Sequence, residues 1–358
     1  MEIYVFNKDL DTIGLIDNYQ SVIWTTRFFD TGDFELYLPV SMDLIELLKE
    51  DNYLCRSSDI TMSGNDTMYK NVMIIENITI KTDVENGNYL TVSGRSLKNI
   101  LSRRIIWQQT NLTGHVELCI RRMVEENAVT PIIAERKIKN LEMGGLLGLE
   151  DTIDMQVTGD NLCEVIAEMC KQYGIGFDIY IINKKFRFEL YVGENRSYNQ
   201  EKNPYVVFSS DYENLLNTEY KFLKQDFKNV ALVAGEGEGL ERKTTVVGTA
   251  TGLDRYEKFV DARDVSSNNG EYTEEEYIKM LEDRGYKSLE ESKAVQSFDG
   301  STETRISYEL NKDYFLGDIV QVINEYGIEA SPRILEIIES EDENGRSIIP
   351  TFSTLEVG

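Results

Sequence analysis

Short alternating segments, broken by turn residues, limit most strongly what this chain can fold into. In residues 24–29 (WTTRFF) and 33–38 (DFELYL), apolar and polar side chains alternate on either side of a turn that contains Thr31 and Gly32. Alternation with a period of two is typical of strands with one buried face, so this pair predicts a β-hairpin. Further strand patterns lie at 69–81, 88–94, 177–181, 185–192, 205–209, 215–224, 229–235, 241–250, 302–308, 318–323, 328–339 and 346–350. Strands at this spacing predict small barrels or sandwiches.

Helical patterns occupy only a few stretches between these strands. Ser41 is placed to cap a short helix that carries a stripe of leucines. Longer helices are predicted near 114–127 and at about 161–173, and Gly174 is expected to end the second of these. Residues 105–107 (IIW) have a strand-like composition.

An acidic pair of helices is predicted in residues 266–299. Thr273 with Glu276 forms one capping box, and Ser288 with Glu291 forms another. Gly285 lies between the two boxes, where a glycine is expected to end the first helix.

The net charge makes nucleic acid and anionic membranes poor candidates for tight binding. The chain carries 37 Lys and Arg against 63 Asp and Glu, a formal net charge of −26. Affinity for nucleic acid depends on Lys and Arg, and so does binding to an anionic membrane surface. The acidity therefore indicates either simple solubility or a wall along which DNA passes without sticking.

The N-terminal residues and the cysteines point to a reducing compartment. Residues 1–14 lack the basic-then-apolar pattern of a signal peptide, and no apolar run approaches the roughly 18 residues of a membrane span. The four cysteines, Cys55, Cys119, Cys163 and Cys170, show neither C-x-x-C spacing nor disulfide-scaffold density. We expect reduced thiols inside apolar cores and no membrane anchor of the chain's own.

No motif for catalysis or for a cofactor stands out. Gly235, Gly237 and Gly239 lie in GEGEG, but a strand pattern follows them where a phosphate loop needs a helix, so a turn or bulge is favoured. His115 is the sole histidine, which excludes zinc sites built from two histidines. Carboxylate pairs arise by chance among 63 acidic residues. We therefore expect no enzyme activity, no cofactor and no metal.

Taken together, several stretches resemble the tail-hub proteins of phages that infect Gram-positive bacteria, a siphophage family related to baseplate hubs and to the N-terminal hub part of tail-associated lysins. The stretches, in order, are Trp24-x-x-Arg27-Phe28 with Gly32-x-Phe34-x-Leu36-x-Leu38-Pro39; Gly94-Arg95-Ser96-Leu97 with Arg103-Arg104-Ile105; Asn229-Val230 with Gly235-Glu236-Gly237-Glu238-Gly239 and Arg242; and Leu316-Gly317-Asp318-Ile319-Val320 with Pro350. Their order and spacing carry the resemblance.

The resemblance implies a β-rich α+β fold of the baseplate-hub kind. It contains a first β-barrel-like domain at 1–95, an α/β insertion at 96–200, a second barrel-like domain at 201–265 and 300–358, and a helical excursion at 266–299. Three copies would place six barrels in a ring, which matches a sixfold tail tube to a threefold tip.

The implied location is the tip of the virion tail, after assembly in the host bacterial cytoplasm. Implied partners are two further copies of the chain, a distal tail or tail-tube ring protein above, and tip fibre, plug or receptor-binding proteins below. The tape-measure protein and DNA would pass through the channel. Because the chain ends about where the hub fold is expected to close, we expect other polypeptides to supply any lysin activity.

Thirteen residues are candidates for structural or interface positions, although shaping turns and cores is an equal interpretation for the glycines. They are Trp24, Arg27, Gly32, Gly94, Arg95, Arg103, Arg104, Gly235, Gly237, Gly239, Arg242, Gly317 and Asp318. Three rival functions stay open: a tail-borne peptidoglycan hydrolase, a receptor-binding or adhesin module, and a connector on the capsid side.

Overall fold

The computed structural model describes residues 1–64, 66–83, 87–267, 272–301, 308–352 and 355–356. The strand predicted at 302–308 lies outside the described residues, apart from Tyr308. Strands predominate over helices along the described chain, so the β-rich α+β class is confirmed. The boundaries of the four predicted domains stay a prediction.

The first 200 residues contain fourteen strands and three α-helices among the described residues. The strands are β1 (Ile3–Phe6), β2 (Thr12–Ile16), β3 (Ser21–Arg27), β4 (Asp33–Pro39), β5 (Tyr53–Arg56), β6 (Ile60–Ser63), β7 (Asp66–Tyr69), β8 (Met73–Asp83), β9 (Gly87–Ser96), β10 (Thr110–His115), β11 (Leu141–Met143), β12 (Thr152–Val157), β13 (Gly176–Ile182) and β14 (Lys185–Tyr191). The helices are α1 (Met42–Leu47), α2 (Val116–Val124) and α3 (Leu162–Tyr173).

The remaining described residues contain eleven strands and one α-helix. The strands are β15 (Val207–Ser209), β16 (Leu216–Leu223), β17 (Val230–Ala234), β18 (Thr244–Val247), β19 (Glu257–Asp261), β20 (Val295–Ser301), β21 (Gln321–Ile323), β22 (Glu329–Ala330), β23 (Ile334–Asp342), β24 (Gly345–Phe352) and β25 (Leu355–Glu356). The helix is α4 (Glu274–Glu290).

The largest sheet has nine strands in the order β2-β1-β5-β8-β9-β4-β3-β23-β24. The predicted hairpin is present as β3 and β4, with Trp24 opposite Phe34. Ile3 on β1 and Trp24 on β3 belong to one core although four strands lie between them in the sheet order. The sheet therefore curls into a barrel-like form, and α1 adds Leu44 and Leu47 to its core.

The opposite face of this sheet packs against residues 96–200. Phe6 and Ile74 from the large sheet share a core with α2, α3 and β13. A second sheet, β11-β14-β13-β7-β6, joins β7 to β13 through the pairing of Tyr69 with Ile181. The insertion and the first barrel are thus built around a common apolar interior.

Two helices in this part follow the sequence patterns closely, but one predicted strand does not form. Helix α3 starts after the side-chain cap Asn161 and ends at Gly174, whose φ is +64°. Helix α2 continues into a π-helical turn at Glu125–Val129. The strand-like reading of 105–107 is wrong, because Ile105 makes only an isolated bridge to Asn161. The main chain of 106 instead bonds to Asp160 and Gly159.

The hairpin β23–β24 belongs to two cores at once. β23 pairs antiparallel with β3, placing Glu339 opposite Trp24. Ile337 and Phe352 from the same hairpin pack with Phe208 and Val322 in a second core. Around this second core lie the small sheets β15-β21-β22 and β16-β20-β25. The hairpin therefore joins the first barrel to the second barrel-like region.

Helix α4 packs on a three-stranded sheet, β18-β17-β19, with a core separate from the one that contains Phe208. The capping box of Thr273 and Glu276 forms as predicted. The prediction that Gly285 ends a first helix is wrong, because α4 runs unbroken through this position. A Cβ atom at 285 would lie 2.6 Å from Cγ2 of Val233, so the glycine lets α4 approach the sheet closely.

Replacing Gly285 with alanine should lower the free energy of unfolding by a net amount of about 1–2 kcal/mol. The added methyl group overpacks the helix–sheet contact, which outweighs the roughly 1 kcal/mol gain in helix propensity. Thermal unfolding followed by circular dichroism measures the change. Exposed Glu275 on the same helix provides the control, because Glu275→Ala should stay within about 0.5 kcal/mol. A stabilised Gly285→Ala variant would contradict the close packing.

Candidate functional site

The first barrel, the insertion and the second barrel-like region meet around a cavity of about 360 Å³. Five carboxylates and two cations line it, contributed by all three regions: Asp178, Glu189, Glu194, Asp318, Glu339, Lys70 and Arg196. Two buried ion-pair clusters border the cavity. Its chemistry depends on which of these carboxylates already have partners.

The first cluster is centred on Arg56, whose side chain is 1% exposed. Its Nε donates to Asp59 Oδ2 at 2.5 Å, and its Nη1 donates to Glu339 Oε1 at 2.7 Å. Arg346 donates to the second oxygen of Glu339, and the Arg56 guanidinium lies 5.1 Å from the centre of the Trp24 ring. Residues 283 positions apart are thereby joined inside the protein.

Charge balance explains why these groups stay ionised in the interior. Burial raises the pKa of Glu339, but Arg56 and Arg346 outweigh burial and hold that pKa below its usual value. Burial likewise disfavours the charged form of Arg56, yet Asp59 and Glu339 raise its pKa above the ordinary arginine value. The cluster is therefore stable only when all its members are present.

The second cluster holds the predicted pair Gly317 and Asp318. Buried Asp318 accepts from Arg196 Nε at 2.8 Å and from the main-chain N–H groups of Glu194 and Phe315, at 2.8 and 3.0 Å. Gly317 has a φ of +95°, and a Cβ there would lie 2.4 Å from Cε2 of Phe28. The motif thus shapes a tight turn against the end of β3 and fixes the segment after β14.

Three predicted residues lie on the β3–β4 hairpin. Trp24 is fully buried, and its indole N–H has no hydrogen-bond partner among the described residues. Arg27 donates to Glu336 on β23, to Asp33 on β4 and to the Thr31 carbonyl, so it ties the two hairpins together. At Gly32 a Cβ would lie 2.1 Å from the Thr25 carbonyl oxygen, which leaves room only for glycine.

Gly94 and Arg95 lie on β9, where it crosses the bulge in β8. A Cβ at Gly94 would be 1.9 Å from the Ile74 carbonyl oxygen. Arg95 is exposed and donates to Glu76 at 2.8 and 3.2 Å. The glycine has a packing role here, and the arginine forms a surface ion pair.

Arg103 and Arg104 face different partners. Arg103 donates to Asp51 at 2.7 Å, and less than half of its side chain is exposed. Arg104 donates to the main-chain carbonyls of Arg136 and Arg103. Partial burial lowers the pKa of Arg104, and the neighbouring Arg136 lowers it further. Both residues therefore fasten loops within the chain.

The GEGEG stretch forms a turn between β17 and β18, away from the cavity. Gly237 and Gly239 have positive φ angles, +98° and +55°. A Cβ at Gly235 would lie 2.3 Å from the Tyr277 hydroxyl on α4. Arg242 donates to the carbonyls of Ala234 and Gly235 and to Asp261. Arg242 thus closes the turn with its own guanidinium.

Asp178 is the cavity carboxylate with the most unusual setting. Burial raises its pKa, while Lys98 and the Ile179 N–H group act in the opposite direction. Lys98 is itself buried and donates to the carbonyls of Arg27 and Asp30 at 2.6 and 3.1 Å. Asp318 and Glu339, by contrast, already accept from arginines.

The described ranges lack two kinds of feature, a metal site and a membrane-spanning helix. No group of three or more His, Cys, Asp and Glu side chains in the part of the chain that the structure describes is arranged to hold a metal ion. Among the same residues, no helix combines the length and apolar character needed to cross a bilayer.

The four thiols should resist alkylation in the native protein. Burial raises the pKa of Cys163 to about 11 and that of Cys170 to about 12, so little thiolate exists near neutral pH. All four cysteines are buried and free. We expect iodoacetamide to leave the native protein unmodified over an hour at pH 7.5 and to label four thiols in guanidinium chloride, as read by intact mass. Native labelling of Cys163 or Cys170 would contradict this packing.

The sequence reading missed Arg56, Glu339 and Arg196, which organise the two clusters. One signal was available: Arg56 ends an otherwise apolar strand, YLCR, and Asp59 follows three residues later. Nothing local marks Glu339, because its partner lies on a distant strand.

Three solved structures described as tail proteins share this fold. The 43 kDa tail protein of prophage MuSo2 from Shewanella oneidensis is 15% identical with a TM-score of 0.61, covering 99% of this chain and 98% of its own. The tail protein from Neisseria meningitidis MC58 is 12% identical with a TM-score of 0.57, and the match covers 98% of this chain and 95% of that protein. Prophage tail protein gp18 from Listeria monocytogenes EGD-e is 11% identical with a TM-score of 0.56, and the match covers 100% of this chain and 96% of that protein. These likenesses show the fold.

At the sequence level, comparison with curated proteins gives no match. The sequence does match the family described as Siphovirus ReqiPepy6 Gp37-like protein over residues 2–353, nearly the whole chain. The resemblance to siphophage tail proteins is thereby confirmed. The chain belongs to the Siphovirus ReqiPepy6 Gp37-like family, and it shares its fold with prophage tail proteins.

Proposed function

We propose that this chain is a hub subunit of a phage tail, three copies of which form a ring at the distal end of the tail and adapt a sixfold tube to a threefold tip. The ring would contact a tail-tube or distal tail protein above and tip fibre, plug or receptor-binding proteins below. The tape-measure protein and DNA would pass through its channel. Its role is assembly and not catalysis.

The observation that carries the proposal is the β23–β24 hairpin. It pairs with β3 of the first barrel and packs in the core of the second, and the Arg56 cluster locks the junction. Each chain holds two barrel-like regions in a fixed arrangement, so a ring of three chains presents six barrels to the sixfold tube. A net charge of −26 suits a channel wall that repels DNA and so lets it slide.

The mass of the assembly in solution and the position of the subunit in the particle together test this proposal. Light scattering of the purified chain should give three times 41.1 kDa. Electron microscopy of intact particles with this subunit labelled should place the label at the distal end in threefold arrangement. A dodecamer would favour the connector, and label along the shaft or at the head would overturn the hub.

A peptidoglycan hydrolase is the second candidate, and the Asp178 cavity favours it. A carboxylic acid with a raised pKa is what a general acid in glycoside hydrolysis needs, and Glu189 lies in the same cavity. Zymography on bacterial cell walls decides between the two. Clearing by the wild-type chain that disappears in Asp178→Asn would establish the enzyme, whereas no clearing by the folded chain supports the hub.

A further inference from the structure

A short loop between β11 and β12 is held in place by two side chains of α2. The buried carboxylate of Glu117 accepts the N–H groups of Leu147, Gly148 and Leu149 at 2.6, 2.7 and 3.1 Å. These bonds lower the pKa of Glu117 despite its burial, which acts to raise it. Arg121 donates to the carbonyls of Gly144 and Gly145 on the other side of the loop. The loop is therefore preorganised, although it has three glycines.

This rigid loop presents apolar side chains to solvent. Leu146 is 65% exposed and Leu147 is 42% exposed. We call residues 144–149 the Leu loop. Burying apolar side chains away from water is favourable in free energy, and a loop already fixed in one conformation loses little conformational entropy when it binds. Exposed leucines on a preorganised loop are typical of a binding element.

A second exposed apolar surface lies on the sheet β18-β17-β19. Helix α4 covers one face of this sheet, where Ala231 and Val233 are buried. On the opposite face Leu232 is directly paired with Val246 on one side and with Phe259 on the other. Leu232, Val246 and Phe259 are 43%, 53% and 58% exposed. We call these three residues the open row.

The charges beside the two surfaces are complementary. The exposed carboxylates Glu150 and Asp151 directly follow the Leu loop. Beside the open row, Arg242 and Arg263 share the single carboxylate of Asp261, which leaves one positive charge in excess in this trio. The Arg242 guanidinium also lies 5.7 Å from the Phe259 ring centre.

Charge further indicates which partner fits. Residues 228–263 contain six Lys and Arg residues and six Asp and Glu residues, so the net charge of this part is zero. The rest of the chain contains 31 Lys and Arg residues and 57 Asp and Glu residues, and it therefore carries the whole net charge of −26. Two copies of such a chain repel each other over most of their surfaces. A copy–copy contact is least opposed where charge is balanced, as it is around the open row.

Resting on the trimeric hub proposed above, we infer that the Leu loop of one copy packs on the open row of the next copy. The contact is heterologous, because each copy offers one loop and one row. Heterologous contacts generate a closed ring when the rotation closes, and three copies close one here. Glu150 and Asp151 then face the Arg242–Asp261–Arg263 trio across the interface.

Two variants test the pairing. The loop variant carries Leu146→Ser and Leu147→Ser, and the row variant carries Leu232→Thr and Phe259→Thr, which keep strand-compatible side chains. Light scattering should show each variant alone as a monomer. An equimolar mixture should give a dimer and no trimer, since only one intact loop and one intact row can meet. Unchanged circular dichroism and melting temperature show that each variant folds.

Leu253→Ser is the matched control, because Leu253 is 98% exposed and belongs to neither surface. It should stay trimeric. Trimers in both variants, with a trimeric wild type, would overturn the loop–row contact and leave the hub intact. Monomeric variants that form no dimer when mixed would show that the two surfaces do not meet each other. A wild-type chain that is monomeric at every concentration would overturn both the hub and this contact.

Discussion

Arg56→Met should lower the free energy of unfolding by about 4 kcal/mol, because breaking a buried ion pair leaves the carboxylates of Asp59 and Glu339 without their cation in the interior. Methionine keeps most of the side-chain volume, so the loss reports charge and not a cavity. Guanidinium or urea unfolding followed by tryptophan fluorescence measures it, since the Trp24 ring lies beside Arg56.

Arg103→Met is the matched control for this prediction. Arg103 also pairs with an aspartate, Asp51, but its side chain is 44% exposed. Surface ion pairs contribute about 0–1 kcal/mol, so the control should remain within that range. Equal effects of the two substitutions would show that the Arg56 cluster is not buried in solution.

The same cluster predicts a dependence on acid. The pKa of Glu339 is lower in the folded chain than in the unfolded chain, so its stabilising contribution is complete above the unfolded value of about 4.3. That contribution is lost as the pH falls from there through the lowered folded pKa. The difference in stability between the wild type and Arg56→Met should therefore shrink below about pH 4. A constant difference from pH 7 to pH 3 would contradict the assignment.

Gly94→Ala should lower the free energy of unfolding by about 3 kcal/mol or more, at the upper end of the range for overpacking. The added Cβ would lie 1.9 Å from the Ile74 carbonyl oxygen and 2.9 Å from the Glu76 nitrogen, which are backbone atoms that no rotamer change can move. The pairing of β8 with β9 must shift to accept it. Chemical unfolding measures the loss, and amide hydrogen exchange locates it in β8 and β9.

Gly145→Ala is the control, because a Cβ at position 145 meets nothing within 4 Å and the φ angle there is not positive. Its effect should stay within about 0.5 kcal/mol. If Gly94→Ala were equally mild, the close strand approach at the β8 bulge would be wrong.

Local patterns in the sequence predicted the elements that depend on neighbours along the chain. The alternation on either side of Gly32 predicted β3 and β4, and Gly174 predicted the end of α3. The capping box of Thr273 was also readable, because its partner Glu276 lies three residues away. Periodicity and caps report which face of an element is buried and where a helix begins or ends.

The same patterns do not show which element packs on a buried face. The candidate site depends on such contacts between elements that are distant in the sequence. Gly285 has the sequence signature of a helix end, yet its role is to let α4 contact Val233. Arg56 resembles a surface residue at a strand end until β23 brings Glu339 to it from 283 residues away. Both cases turn on a partner that is remote in sequence.

The sequence by itself determined a β-rich chain, its hairpins and caps, and its acidity, because these follow from contacts within a few residues and from composition. Only the tertiary structure decided that the β23–β24 hairpin completes the first sheet, and that Arg56 and Asp318 lie in buried ion pairs around one cavity. The reason is physical: an ion pair between distant strands is stabilised by burial, and burial is a property of the assembled fold and not of any short segment.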